Sequence, residues 1–312
     1  MAEALLAIVG PTATGKSEVG LLLAERLGGE IVSADSMQVY RGMDIGTAKP
    51  TAEERARVPH HLIDIVDPDQ GFSVAEYRAR AEGALAAIWK DGKQPILVGG
   101  SGLYVRAVLE EMDFAMTPPD GELRRRLTEE ARSKGTRVLH EWLSEVDPET
   151  AARIHPNDEK RIIRALEVCE STGRPMARPQ QLDRRRAMRY NARQFGLSLP
   201  REELYLRIEA RVDRMLEAGL VEEVKGLIDR GYGEDLVSMK GLGYAQLAEY
   251  VRGEQSLEEA VRRLKRDTRR FAKRQLTWFG ADPRIEWIDV APEEPAKTAE
   301  AIRERWEAGQ AR

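Results

Sequence analysis

The sequence predicts an α/β fold: a mostly parallel sheet covered on both faces and broken by a helical insertion. Three observations predict it. Short apolar runs alternate with helical patterns from Leu5 to Tyr104, a charged stretch without strands follows, and strand-like segments return after Tyr190. Alternation of that kind is how parallel strands are joined by crossover helices.

The elements follow in order. Leu5–Val9 is an apolar run ending in Gly10, and after a Gly/Thr turn Val19, Leu22, Leu23 and Leu27 fall at helical spacing; this reads as strand, loop, helix. Gly28-Gly29 stops the helix, and Glu30–Ser33 is a second strand ending at Ala34-Asp35-Ser36. His61–Ile65 is a third strand candidate, less apolar and suited to an edge. A helix from Val74 to Lys90 leads through the turn Asp91-Gly92-Lys93 to the strand Pro95–Val98, which delivers Gly99-Gly100-Ser101-Gly102 to a helix start. The pattern breaks at Met116–Asp120. Glu122–Lys134, Val138–Val146 and Asp158–Ser171 then read as charged helices, Tyr190–Leu199 as a strand, the segment from Pro200 to about Phe279 as helical, and Ile285–Val290 as a last strand. The expected organisation is a core of residues 1–112 and 190–312 with a helical insertion at 113–189, hinged at Pro118-Pro119 and Met188–Tyr190.

Composition narrows the class. With 33% charged and 42% hydrophobic residues in 312, the chain has a solvated surface and enough apolar mass for a core. The run Ala4–Val9 is too short to span a bilayer and lacks the flanks of a signal peptide. One cysteine, Cys169, excludes an intramolecular disulfide framework and a cysteine-based zinc site, so a cytoplasmic location and a monomer are the default expectations. Net charge is −4, yet Gly121–Arg189 holds 16 Lys/Arg against 12 Asp/Glu, and Val261–Gln275 holds 8 against 1. Such local excess is either a solvated helix face or a surface for polyanions.

Gly10-Pro11-Thr12-Ala13-Thr14-Gly15-Lys16-Ser17 fits the P-loop pattern and lies between a strand and a helix, as its mechanism requires. Backbone N–H groups and the helix N-terminus would face phosphate oxygens. Lys16 would add a point charge, and the Ser17 hydroxyl is placed to hold Mg²⁺. Nucleotide hydrolases usually carry a second apolar strand that ends in an acid. Here Ile96-Leu97-Val98 ends instead in Gly99-Gly100-Ser101, whereas Asp35 closes the other strand. Asp35 could cap a turn, bind metal, or act as a base toward an acceptor. The loop fixes a diphosphate-type ligand and leaves ATP unproven.

Taken together, Gly10–Ser17, Ser33–Tyr40, Gly42–Pro50, Val98–Tyr104, Arg153–Asp158 and Lys273–Trp278 resemble the tRNA dimethylallyltransferase (tRNA isopentenyltransferase) family, in its order and over almost the whole chain. The resemblance implies a P-loop fold of the nucleoside-triphosphate-hydrolase type, related to nucleotide kinases. The loop would grip the diphosphate of dimethylallyl diphosphate with Mg²⁺, and the flipped adenine of a tRNA anticodon stem-loop would enter from the other side. It implies Asp35 as the base on the adenine N6 amine, with Ser101 and Arg211 near the reacting groups. Asp35, Ser36, Met37, Gln38, Ser101, Arg124, Lys160, Arg161, Ile162, Ile163 and Arg164 correspond to tRNA contacts.

Plainer readings stand beside these. Ser101 could cap the helix that follows it, Arg211 could sit in a surface ion pair, and Lys160, Arg161 and Arg164 could form a solvated face. His155 before Pro156 suits a turn, and Trp278 and Phe279 suit the core. The competing functions are a nucleotide or small-molecule kinase using ATP, a prenyltransferase acting on free AMP, ADP or ATP, and an RNA-binding ATPase without catalysis on RNA. The first leaves the basic insertion and the Asp44–Pro50 segment unexplained.

Overall fold

The computed structural model describes residues 3–112, 121–173, 175, 187–291 and 293–310. The elements run β1 (Ala4–Val9), α1 (Lys16–Leu27), β2 (Gly29–Ser33), α2 (Ala52–Arg57), β3 (His60–His61), α3 (Val74–Lys90), β4 (Gln94–Gly99) and α4 (Gly102–Leu109). They continue with α5 (Gly121–Lys134), α6 (Thr136–Val146), α7 (Pro148–Ala151) and α8 (Glu159–Thr172), then β5 (Asn191–Ser198) and α9 (Arg201–Glu217). The chain ends with α10 (Leu220–Asp229), α11 (Tyr244–Val251), α12 (Leu257–Gly280), β6 (Ile285–Asp289) and α13 (Pro295–Gln310).

The six strands form one sheet in the order β3-β2-β4-β1-β5-β6, every pairing parallel. β1 lies inside, with Ile8 opposite Val98 on one side and Phe195 on the other. Its apolar run is explained by that position. Leu5, Ala7 and Val9 enter one core with residues of α3, α4, α10, α11 and α12, while Leu6 and Ile8 enter another with α1 and α13. A strand buried on both faces needs apolar side chains at every position rather than at alternate ones.

Two compact units result. One comprises Met1–Glu110 with Ala187–Arg312, the other Glu111–Arg186. The second has its own core of Leu123, Leu127, Leu139, Leu143, Ile162 and Leu166, drawn from α5, α6 and α8. Leu127 is fully buried there. Leu127→Ala is therefore expected to destabilise this unit by about 2–5 kcal/mol, seen as a lowered thermal transition of the insertion with donor binding by the other unit retained.

Several expectations change. Met188–Tyr190 packs with the first unit: Met188 bridges Glu110, Arg189 N–H donates to Leu109 O at 2.9 Å, Arg189 pairs with Glu82, and the Tyr190 ring lies 5.1 Å from Trp89. Pro118-Pro119 lies outside the described residues. The third strand shrinks to His60–His61, because Leu62 and Asp64 take left-handed φ of 64° and 57°, which ends a strand. No helix among the described residues is long and apolar enough to cross a membrane.

The basic face of α12 is largely neutralised. Arg263 pairs with Glu249, Lys265 with Asp213 and Arg269 with Glu209, all acids from neighbouring helices, and Arg262, Arg266 and Arg270 pair with acids of α12 itself. Lys273 and Arg274 stay exposed at its far end. Phe279 is core, but Trp278 is 41% exposed, packed edge-on over Gly102 and facing the Arg106 guanidinium at 5.1 Å.

Candidate active site

The C-terminal ends of parallel strands are where α/β proteins place ligands, and three such ends meet here. The first, after β1, is the phosphate loop. Gly10 has φ of +133°, and a Cβ there would come within 2.7 Å of Leu197 O, so only glycine fits beside β5. Gly15, left-handed at φ 84°, starts α1 without a side-chain cap, which leaves the first N–H groups of that helix for a ligand. Thr14 Oγ1 donates to Pro11 O at 2.9 Å and Lys16 Nζ to the same oxygen at 2.5 Å. Ser17 is exposed on the first turn.

The second end, after β2, presents Asp35. Its Oδ1 accepts from Met37 N at 2.8 Å, which fixes the turn and leaves the second oxygen for other work. Gln38 is tied down by Ser33 Oγ at 2.9 Å and by the carbonyls of Thr47 and Ala48, each at 3.3 Å. Met37 turns its side chain against Gly241. The third end is Gly99-Gly100-Ser101. A Cβ on Gly99 would strike Ala34 O at 2.2 Å, so the glycine lets the second and third loops touch. Ser101 stands at the start of α4 but makes no side-chain cap. Its Oγ instead accepts from Ser36 N at 2.9 Å and donates to Ser36 Oγ at 3.1 Å. The expectation that it caps the helix is corrected: Ser101 braces the Asp35 turn.

Helices from the C-terminal half complete the site. Arg211 on α9 makes no ion pair among the described residues; it faces a cavity of about 250 Å³ with Lys16, Ser17 and Asp35. Burial depresses its guanidinium, with the Asp35 carboxylate opposing the shift, and a guanidinium stays charged regardless. Lys16 is pushed down to about 7 by burial and by the Arg211 charge, again with Asp35 opposing. A second cavity of about 740 Å³ shares Ala13, Ala48 and Arg211 with the first and adds Ile45, Met215 and Arg214.

Two positioning contacts were not expected from the sequence. Arg207 Nε on α9 donates to Ala13 O at 3.1 Å, holding a non-glycine residue at φ 67°. Gln275 on α12 accepts from Thr12 N at 2.8 Å and donates to Gly100 O at 2.9 Å, joining the first loop to the third. Gly42–Pro50 is held as firmly: Glu223 accepts from the N–H groups of Asp44, Ile45 and Gly46 at 2.9, 2.8 and 3.1 Å and from Tyr244 O–H at 2.6 Å. Lys49 is buried against Asp44 and Asp64 at 2.7 and 2.6 Å.

Among the described residues, no group of three or more His, Cys, Asp or Glu side chains suits a metal. Mg²⁺ requires none here, because it keeps several waters and takes other ligands from substrate phosphates. One hydroxyl, Ser17, beside Lys16 in the small cavity fits that donor set.

The second unit holds the other residues singled out. Lys160 and Arg161 are exposed, with Arg161 3.4 Å from Asp158. Arg124 and Arg164 both pair with Glu167. Ile162 and Ile163 are 0% and 5% exposed. The expectation that they touch RNA is corrected: α8 turns both into its own core. His155 is a turn residue whose Nδ1 accepts from Asn157 N at 3.2 Å.

Comparison with known proteins gives a consistent result. The family model described as IPP transferase matches residues 38–282. A tRNA dimethylallyltransferase of Desulforudis audaxviator is 56% identical over 287 residues, 92% of each chain. One of Pelotomaculum thermopropionicum is 52% identical over 288 residues, 92% of this chain and 91% of its own. The solved tRNA isopentenylpyrophosphate transferase of Bacillus halodurans aligns at a TM-score of 0.72 and 44% identity, covering 99% of this chain and 98% of that one. A eukaryotic dimethylallyltransferase acting on tRNA aligns at 0.75 and 27% identity, covering 92% of this chain and 73% of its own. With a phosphate loop, a carboxylate and two half-buried cations at one sheet end, the chain belongs to the tRNA dimethylallyltransferase family of enzymes.

Proposed function

We propose that the protein transfers the dimethylallyl group of dimethylallyl diphosphate to the N6 amine of the adenosine 3′ to the anticodon in tRNA, releasing diphosphate. The observation that carries this reading is the convergence of Lys16 and Asp35, from the loops after β1 and β2, and Arg211, from the distant α9, on one cavity.

The adenine amine is a poor nucleophile because its lone pair is delocalised into the ring. As N6 attacks the allylic carbon, the carbon–oxygen bond breaks and its electron pair leaves on diphosphate. Asp35 accepts the N6 proton. Lys16, Arg211 and the loop amides stabilise the charge that grows on the leaving group. Ser17 would hold Mg²⁺ against the diphosphate oxygens, where the ion supplies further charge neutralisation. The apolar side chains Ile45 and Met215 beside Arg211 suit a prenyl tail. Asp35–Gln38 and Ser101 would meet the base extruded from the anticodon loop, at an unstacking cost of a few kcal/mol. Arg124, Lys160, Arg161 and Arg164 would meet backbone phosphates, so binding should weaken with salt. The phosphotransferase alternative gains nothing from the site, since β4 ends in Gly99 and Gly100 rather than an acid.

The test is incubation with Mg²⁺, isotope-labelled dimethylallyl diphosphate and tRNA from a strain lacking the modification. Label is expected on the adenosine 3′ to the anticodon. Label on free AMP instead would move the acceptor to a nucleotide, and ATP consumption without any prenyl transfer would restore the kinase reading.

A further inference from the structure

Glu167 on α8 has a fully buried side chain, yet its helix neighbours Ile162, Ile163, Ala165 and Leu166 supply the core of the insertion. Burying a carboxylate carries a desolvation penalty of several kcal/mol, and an apolar side chain of similar volume often serves stability equally well. Stability alone therefore does not account for it. Its Oε2 accepts from Arg124 Nη2 of α5 at 2.7 Å and from Arg164 Nη1 at 2.8 Å. The two arginine side chains are 46% and 33% exposed. One buried oxygen thus tethers two half-exposed guanidiniums from different helices. The exposed part of each side chain is within reach of a ligand from solvent. Burial raises the Glu167 carboxyl, but the hydrogen bonds from Arg164 and Arg124 prevail and hold it below the usual range, so the tether stays ionised at neutral pH.

We propose that Glu167 is a positioning residue for RNA, holding Arg124 and Arg164 as a prearranged pair for backbone phosphates of the tRNA. The proposal rests on the reading of those two arginines as RNA contacts. Fixing both side chains beforehand removes rotamer entropy that binding would otherwise have to overcome.

Simple electrostatics and positioning make opposite predictions. Removing a negative charge near RNA should tighten binding, whereas loss of the tether should weaken it. Binding of a synthetic anticodon stem-loop RNA to the full-length protein, followed across salt concentrations, separates the two. Glu167→Gln is expected to weaken binding about tenfold and to make the log–log salt slope shallower by about one to two, with the KM for the prenyl donor unchanged. Glu167→Asp keeps the charge but withdraws it by one methylene, so any loss it causes is geometric; about threefold is expected. Arg124→Gln should cost affinity in the wild type and little in Glu167→Gln. Unchanged or tighter binding by a folded Glu167→Asp overturns the proposal, and this variant decides alone should Glu167→Gln unfold the insertion. If neither Arg124→Gln nor Arg164→Gln alters binding, the proposal falls together with the RNA-contact reading beneath it. An effect of the arginines without one of Glu167 overturns the proposal only.

Discussion

Asp35→Asn is expected to slow prenyl transfer by about 10²–10⁴-fold while leaving the fold and donor binding intact. The choice of asparagine follows from the geometry. The amide oxygen can still accept from Met37 N, which Oδ1 does at 2.8 Å, so the turn after β2 keeps its shape. The brace from Ser101 to Ser36 is untouched. Proton acceptance is lost, together with the negative charge that opposes the lowering of Lys16 and Arg211. The measurement is a single-turnover rate with enzyme, donor and tRNA premixed at saturation, so that substrate affinity cannot disguise the chemical step. A rate within about threefold of wild type would falsify the assignment of Asp35 as the base.

The second large effect concerns Lys16. Lys16→Gln should lower transfer by about 10²–10³-fold, the scale of losing one preorganised donor at a site of developing charge. Its pH dependence is more specific. Lys16 titrates near 7 in the free protein, where burial and Arg211 disfavour its charge. A bound diphosphate restores the reason to be charged and raises that value. Above pH 7, donor binding must therefore take up a proton, and donor affinity falls as pH rises. Titration calorimetry at pH 8 in buffers of different ionisation enthalpy should show proton uptake by the wild type that is absent in Lys16→Gln. Folding obeys the same linkage with the opposite sign. Between pH 7 and the ordinary lysine value of 10.5, the unfolded chain binds a proton that the free folded chain has released, so stability without ligand rises with pH. That rise should vanish in Lys16→Gln.

Local signals were legible in the sequence and distant ones were not. The bounds of α3 at Val74 and Lys90 agree with the sequence because local signals set them: Asp91-Gly92 ends the helix, and Ser73 and Glu76 form a capping box at its start. The phosphate loop was readable because its pattern is contiguous. The third strand was misjudged at Leu62 and Asp64, whose left-handed backbone no local pattern announces; Asp64 is gripped by Lys49 and Arg55. The charge of α12 left both a solvated face and a polyanion surface open because its neutralising acids, Asp213, Glu209 and Glu249, lie on α9 and α11. Arg211 looked like a surface residue for the converse reason: its helix is charged, but its position faces the cavity. Ile162 and Ile163 lie within the run Lys160–Arg164 that the resemblance assigns to RNA contact, and contiguity in such a run says nothing about which side of a helix faces solvent. Gln275 lies in the matching stretch Lys273–Trp278, but its bracing role was not legible, since its partner Thr12 is 263 residues away.

That separation has a consequence in time. The ribosome makes Gln275 and Arg207, the side chains that hold the phosphate loop, well after the loop itself. β1 also lacks its β5 neighbour until Asn191–Ser198 has been translated. At about 5–20 residues per second, the 263 residues between Thr12 and Gln275 take roughly 15–50 s to synthesise. During that interval the nascent chain carries the complete motif and no braced phosphate site. The loop is braced only once Gln275 has been translated, so a product truncated before that residue carries the signature without the grip.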